Sequence, residues 1–151
     1  MRSRRVALWL LVTGEVVVGA WAQFAPASFY TSFPAGRAWV AADGPYNEHL
    51  IRDVGGLSLA LALLLAIAAI RLRPDVVRIA AAAALVYSVP HFVYHLLHLE
   101  LYGVVDATAN IAALGGAVAL PLWLLVWPEP RRRKAPRAVP TVVEVSTDDR
   151  R

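Results

Sequence analysis

The chain has 151 residues, 58% of them hydrophobic and 17% charged, with no cysteine. It is too short for two enzyme-sized domains and carries neither a disulfide framework nor a thiolate metal site. The apolar residues gather in four runs near twenty residues with the charges pushed between them, which excludes an ordinary globular enzyme.

The runs cover 6–24, 50–70, 76–99 and 107–127. At a rise of 1.5 Å per residue, about twenty residues cross a hydrocarbon layer of roughly 30 Å as an α-helix. None of the runs alternates strictly between polar and apolar residues, and lipid leaves no water to satisfy an open backbone. The expected fold class is therefore all-α: a four-transmembrane-helix bundle over 1–127, followed by a disordered basic cytoplasmic tail over 128–151.

The first span is preceded by Arg2, Arg4 and Arg5 and interrupted by Glu15. This basic start, with Ala20-Trp21-Ala22 at its end, has the outline of a cleavable signal peptide, but Glu15 and the length of the run argue against cleavage. A long outer loop over 25–47 follows, containing Phe29, Tyr30, Phe33, Trp39 and Tyr46. Either it folds over the bundle as a cap, or its aromatics lie in the headgroup belt. The second span opens with Glu48, His49, Arg52 and Asp53. Arg71, Arg73 and Pro74 make a short connection to the third span, and Gly103 breaks the chain before the fourth. Pro128-Glu129-Pro130 then stops the last helix ahead of the basic run 131–134.

Thirteen of the fifteen Lys and Arg residues fall on one side of this layout, and Arg37 and Arg52 on the other. The positive-inside rule then puts both termini in the cytoplasm. The formal charge of +4 resides largely in these flanks. It points to anionic lipid rather than nucleic acid. The richness in Ala and Arg suits a high-GC bacterium, and with it a bacterial plasma membrane.

The polar residues are concentrated in the outer half: Glu48, His49, Arg52, Asp53, His91, His95, His98, Glu100, Asp106 and Asn110. His91, His95 and His98 stand at i, i+4 and i+7, within an arc of about 60°, with Tyr87 and Tyr94 flanking the same face. Counting from the outer boundary gives a deep layer of Glu15 and His91, about 10–12 Å inside. A shallower layer holds Asp53, His95 and Asn110, about 5 Å inside. Ionisable groups in a membrane normally face the protein interior or a wet cavity. A shared polar pocket near the outer entrance is therefore expected. Equally, such side chains can simply hold helices together through hydrogen bonds of about 0.6 kcal/mol each. Gly55-Gly56 and Gly115-Gly116 read as points of close helix packing, and Ser58 and Ser88 as donors to backbone carbonyls.

Three chemistries are open to the cluster. His91, His95 and His98 with Asp53 as co-ligand would suit Zn, Fe or Cu(II), although HFVYHLLH lacks the Glu of an H-E-x-x-H zincin. Haem has neither an attachment motif nor an obvious opposed ligand pair. Alternatively, Glu15 as deep proton acceptor, with His91 and Asp53, would do acid–base work on a quinone- or isoprenoid-like molecule. Tyr87, Tyr94, Asn110, His49 and Arg52 would line its binding site. The third possibility is a non-enzymatic accessory subunit docking a larger membrane complex, or a homo-oligomer.

The stretch Tyr46-Asn47-Glu48-His49-Leu50-Ile51-Arg52-Asp53-Val54-Gly55-Gly56-Leu57, opening the second span of four, resembles the DoxX-like group of small bacterial membrane proteins. That resemblance implies a four-helix bundle and, as in some members, an association with quinone- or thiol-linked oxidoreductase systems. It supplies no catalytic residues to carry onto this chain.

Overall fold

The computed structural model describes residues 2–127; the tail expected over 128–151 lies outside them. The described residues are helical, with no strand among them. Four long helices carry the fold: α1 (Arg2–Phe24), α4 (Glu48–Arg71), α5 (Pro74–Leu97) and α6 (Val104–Val126). Two short ones, α2 (Pro26–Ser32) and α3 (Trp39–Ala42), fall within the loop between α1 and α4, and a 3-10 turn (Leu99–Leu101) precedes α6. All four long helices have the length and apolarity to cross a bilayer, and a third or less of each apolar stretch is buried inside the protein. The remaining apolar surface faces outward, which is compatible with an integral membrane protein.

Local chemistry sets the helix ends. The Asn47 side chain accepts the Leu50 N–H at 3.1 Å and caps α4. Glu48 in the first turn and Arg71 in the last complement the helix dipole. Leu72, in a left-handed conformation, terminates α4, and Pro74 starts α5. Between them Arg73 pairs with Asp75 at 2.7 Å. The first span begins four residues earlier than the apolar run, because Arg2, Arg4 and Arg5 continue the helix. The third stops at Leu97, since His98 leaves helical geometry.

The helices pack as two pairs, α1 on α4 and α5 on α6, with lighter contact between pairs. Ala7, Leu8, Leu11 and Val12 of α1 meet Leu65 and Ala68 of α4, Val77 and Ala80 of α5, and Leu124 of α6 in a core confined to one half, the inner one in the orientation expected from the Lys and Arg bias. A second, smaller core in the outer half joins Ala22, Phe29 and Ile51, from α1, α2 and α4. At the corresponding level the buried residues of α5 and α6 include His95 and Asn110. The four helices thus share an apolar core at one end, while polar residues are buried on the second pair at the other.

The α1–α4 seam is the closest contact. A Cβ added at Gly55 would stand 2.6 Å from the backbone nitrogen of Gln23, and one at Gly19 would stand 3.0 Å from the carbonyl oxygen of Gly55. The next glycine differs: a Cβ at Gly56 would meet only the Gln23 Oε1, at 3.6 Å. On α6, a Cβ at Gly115 would make ordinary contact with Phe92, and one at Gly116 would meet open space. Of the two glycine pairs, only Gly55 is required by backbone approach.

Identical substitutions at Gly55 and Gly56 will therefore have opposite effects. Gly55→Ala should overpack the seam and cost about 1–3 kcal/mol. Gly56→Ala should gain about 0.5–1 kcal/mol from helix propensity. Thermal unfolding of the two variants in the same detergent checks the sign of each shift.

Candidate functional site

The outer half of α5 carries a ladder of rings. Tyr87 and His91 are stacked with centroids 5.3 Å apart and planes 15° apart; His91 meets His95 edge-to-face at 4.7 Å. These three residues recur at i+4, so helical periodicity alone aligns them. Pro90 lies within the same stretch, and its missing N–H deprives the Val86 carbonyl of an intrahelical donor. Tyr94 forms a side branch, stacking on His98 at 4.2 Å. The His98 Nδ1 lies 2.7 Å from the Tyr94 carbonyl oxygen, so this imidazole folds back on its own helix end instead of extending the ladder.

His95 is buried, and its Nδ1 has two neighbours: the Tyr102 hydroxyl at 3.4 Å and the Asn110 Nδ2 at 3.5 Å. Tyr102 is also within reach of two acceptors, Asp43 Oδ1 at 3.2 Å and the Trp39 carbonyl oxygen at 3.5 Å. A phenol has one proton to give. When Tyr102 donates to Asp43, its oxygen is free to accept from an Nδ1–H of His95. When His95 carries its proton on Nε2, Tyr102 donates to Nδ1 instead. The position of one proton thus distinguishes two consistent arrangements of Asp43, Tyr102 and His95. The buried Asn110 Oδ1 has no partner in either. Burial, and then the Asp43 carboxylate, push the Tyr102 hydroxyl well above the usual phenol range, so it stays a donor.

Asp43 reaches this position because the loop folds into a cap. Aromatic contacts run along it from Trp21 to Phe33 (5.9 Å), from Phe33 to Trp39 (6.4 Å) and from Trp39 to Tyr102 (6.1 Å). Ala35, Gly36 and Ala38 turn the chain in left-handed conformations, and the Trp39 N–H donates to the Phe33 carbonyl at 2.7 Å across that turn. The far end is fixed at α6. The Arg37 guanidinium and the Trp39 Nε1, the latter at 2.8 Å, both donate to the Asp106 carboxylate. That carboxylate holds the Arg37 guanidinium further above the ordinary arginine range.

Deeper in the bundle, the half-buried Glu15 of α1 has the Ser58 hydroxyl of α4 beside it, and its charge reaches Tyr87 of α5. The carboxylate whose charge reaches both His91 and His95 is Asp43. Asp53, expected in the shallow layer with His95 and Asn110, is instead exposed and pairs with His49 of its own helix at 3.2 Å. Arg52 donates through Nε to Glu48 at 2.8 Å and through Nη1 to the Gln23 carbonyl. His49 and Asp53 thus pair with each other, and Arg52 with Glu48 and the Gln23 carbonyl, rather than with the rings of α5. Among the described residues, no three His, Asp or Glu side chains converge closely enough to hold a metal ion.

Asp43, Tyr102, Trp39 and Arg37 were not singled out by spacing. Their signal was the density of aromatics in the outer loop, together with the position of Tyr102 seven residues after His95. The 3-10 turn then brings Tyr102 back over the histidine.

A group whose pKa is raised by folding contributes stability in full below its unfolded value and loses it as pH climbs through the folded value. For Tyr102 this puts the loss above pH about 10. Hydrogen exchange at 39–43 should accelerate on alkaline titration, and Tyr102→Phe should abolish that alkaline step while raising the exchange rate at neutral pH.

No protein-family model matches the chain, and comparisons with curated proteins and with solved structures give no match.

Proposed function

We propose that this chain is a four-span protein of a bacterial plasma membrane, with both termini cytoplasmic. In this reading a lipid-soluble, quinone-like ligand binds at Glu15, Tyr87 and His91, an oxidoreductase partner exchanges electrons with it, and the ladder on α5 carries the protons taken up or released to the outer cap. The observation that carries the proposal is the run of exchangeable groups from Asp43 through Tyr102, His95 and His91 to Tyr87. The Asp43–Tyr102 and Tyr102–His95 steps are hydrogen-bond contacts, and the His95–His91 and His91–Tyr87 steps are contacts between adjacent rings. Glu15, contributed by the other helix pair, lies near enough for its charge to reach Tyr87 at the inner end of the run.

The chemistry follows from the parts. A carbonyl or hydroxyl head entering between the pairs would find a carboxyl group, a phenol and an imidazole from two sides. His95 relays a proton by exchanging which ring nitrogen carries it, Tyr102 passes it to Asp43 at the water-facing end, and His91, in ring contact with His95, stands next in the run. The inner core grips all four helices, whereas the outer apolar core belongs to α1, α2 and α4, so the pairs are less firmly joined at the level of the ladder. The orientation is supported by the bias of Lys and Arg, and kinship with the DoxX-like group by the R-D-x-G-G opening of α4.

The test is retention of a short-chain quinone by detergent-purified protein. Glu15→Gln and His91→Gln should each weaken binding about tenfold, the effect of losing one charge-assisted or buried hydrogen bond. Asp53→Asn should leave binding unchanged. Quinone retention indifferent to both Glu15 and His91 would sink the reading. If those variants instead lost a co-purifying membrane partner, the accessory-subunit alternative would replace it.

A further inference from the structure

Beside the α1–α4 seam, on the side of the cap, Gln23, Arg52, Asp53, Gly56 and Leu57 line an open groove of about 450 Å³. Gln23 is the penultimate residue of α1, and Arg52 lies five residues past the Asn47 cap of α4. That is about 7.5 Å down the helix. The charged part of the groove therefore sits where the helices leave the apolar layer, while Leu57, 71% exposed, continues it downward as an apolar wall.

We propose that this groove binds the headgroup of a phospholipid bearing both a phosphate and a primary ammonium, with one acyl chain lying along Gly56 and Leu57. The assignment rests on the order of charges and on the glycine. Arg52 uses Nε for Glu48 and one Nη1 hydrogen for the Gln23 carbonyl. Its planar fork has five N–H donors, and the other three suit a phosphate. Asp53, the next residue, presents a carboxylate that touches His49 through Oδ2. Its second oxygen and the Gln23 amide oxygen are acceptors for an ammonium.

A headgroup with only a phosphate would lie against Asp53 and Glu48, and one with only a cation would meet Arg52. A quaternary ammonium has no N–H to give to Asp53. An ethanolamine-type headgroup satisfies both ends.

Gly56 supplies the second argument. Gly55 must be glycine because Gln23 backbone occupies the space of its side chain, but nothing on α1 makes that demand of Gly56. Its missing side chain has a different effect: it leaves helix backbone as the floor of the groove. A large residue there would fill the groove and meet the Gln23 side chain rather than its backbone.

The proposal needs the helices to span a bilayer but does not involve the rings of α5. It is tested by native mass spectrometry of the full chain in detergent, offered phosphatidylethanolamine, phosphatidylcholine and phosphatidylglycerol with identical acyl chains. The ethanolamine lipid should be retained about tenfold over each of the others, the ratio expected for one charge-assisted hydrogen bond. Gly56→Leu should abolish the preference by filling the groove, and Asp53→Asn should remove the advantage over phosphatidylcholine. Glu15→Gln should leave it intact, which separates this site from the quinone test. Equal retention of the three lipids, a preference for phosphatidylglycerol, or a preference that survives Gly56→Leu would each overturn the assignment.

Discussion

Hydrocarbon offers a buried polar group no substitute for a protein partner, and the outer half of this molecule is organised by where those partners come from. On α5 and α6, His95 and Asn110 are buried at the level where α1 and α4 have an apolar core. At this level the cap joins this pair to the rest, and the cap is fixed to α6 through the Asp106 carboxylate, which receives both Arg37 and Trp39. With Trp39 held there, Asp43 stands one short helix away, over Tyr102 and His95. A single carboxylate at the start of α6 thus decides whether the ladder has a water-facing end.

The two helix pairs divide the work. The α1–α4 pair is locked by backbone contact at Gly19 and Gly55 and contributes Glu15. The α5–α6 pair supplies the rings and the buried amide. Their shared inner core, built from alanines, leucines and valines, holds the pairs together. This separation lets one end be rigid while the other accommodates titratable groups.

The four spans were legible because apolar length is a sufficient signal in a membrane setting. The ring alignment on α5 was legible too, because 3.6-residue periodicity fixes which side chains share a face. Periodicity does not fix how one helix is rotated against another, and for that reason Asp53 pairs with His49 instead of standing beside His95. His98 fits the i+7 spacing, but the helix ends one residue before it and the imidazole turns back to the Tyr94 carbonyl. Asp43 and Tyr102 were out of reach for a different reason. Their positions depend on a chain reversal at 34–38 and on aromatic packing across the cap, neither of which has a period to read.

The neighbourhood of Glu15 and Ser58 has a consequence for how the chain is made. Glu15 lies in α1, the least apolar of the four spanning helices, and the hydroxyl beside it belongs to α4. α1 precedes α4 in the chain, so during synthesis its carboxyl group must wait for the cap segment and half of α4 before that partner exists. Until then α1 is a poor candidate for release into lipid. Membrane integration is expected to be cooperative, with α1 retained at the insertion machinery until α4 arrives and the two enter together as a glycine-sealed hairpin.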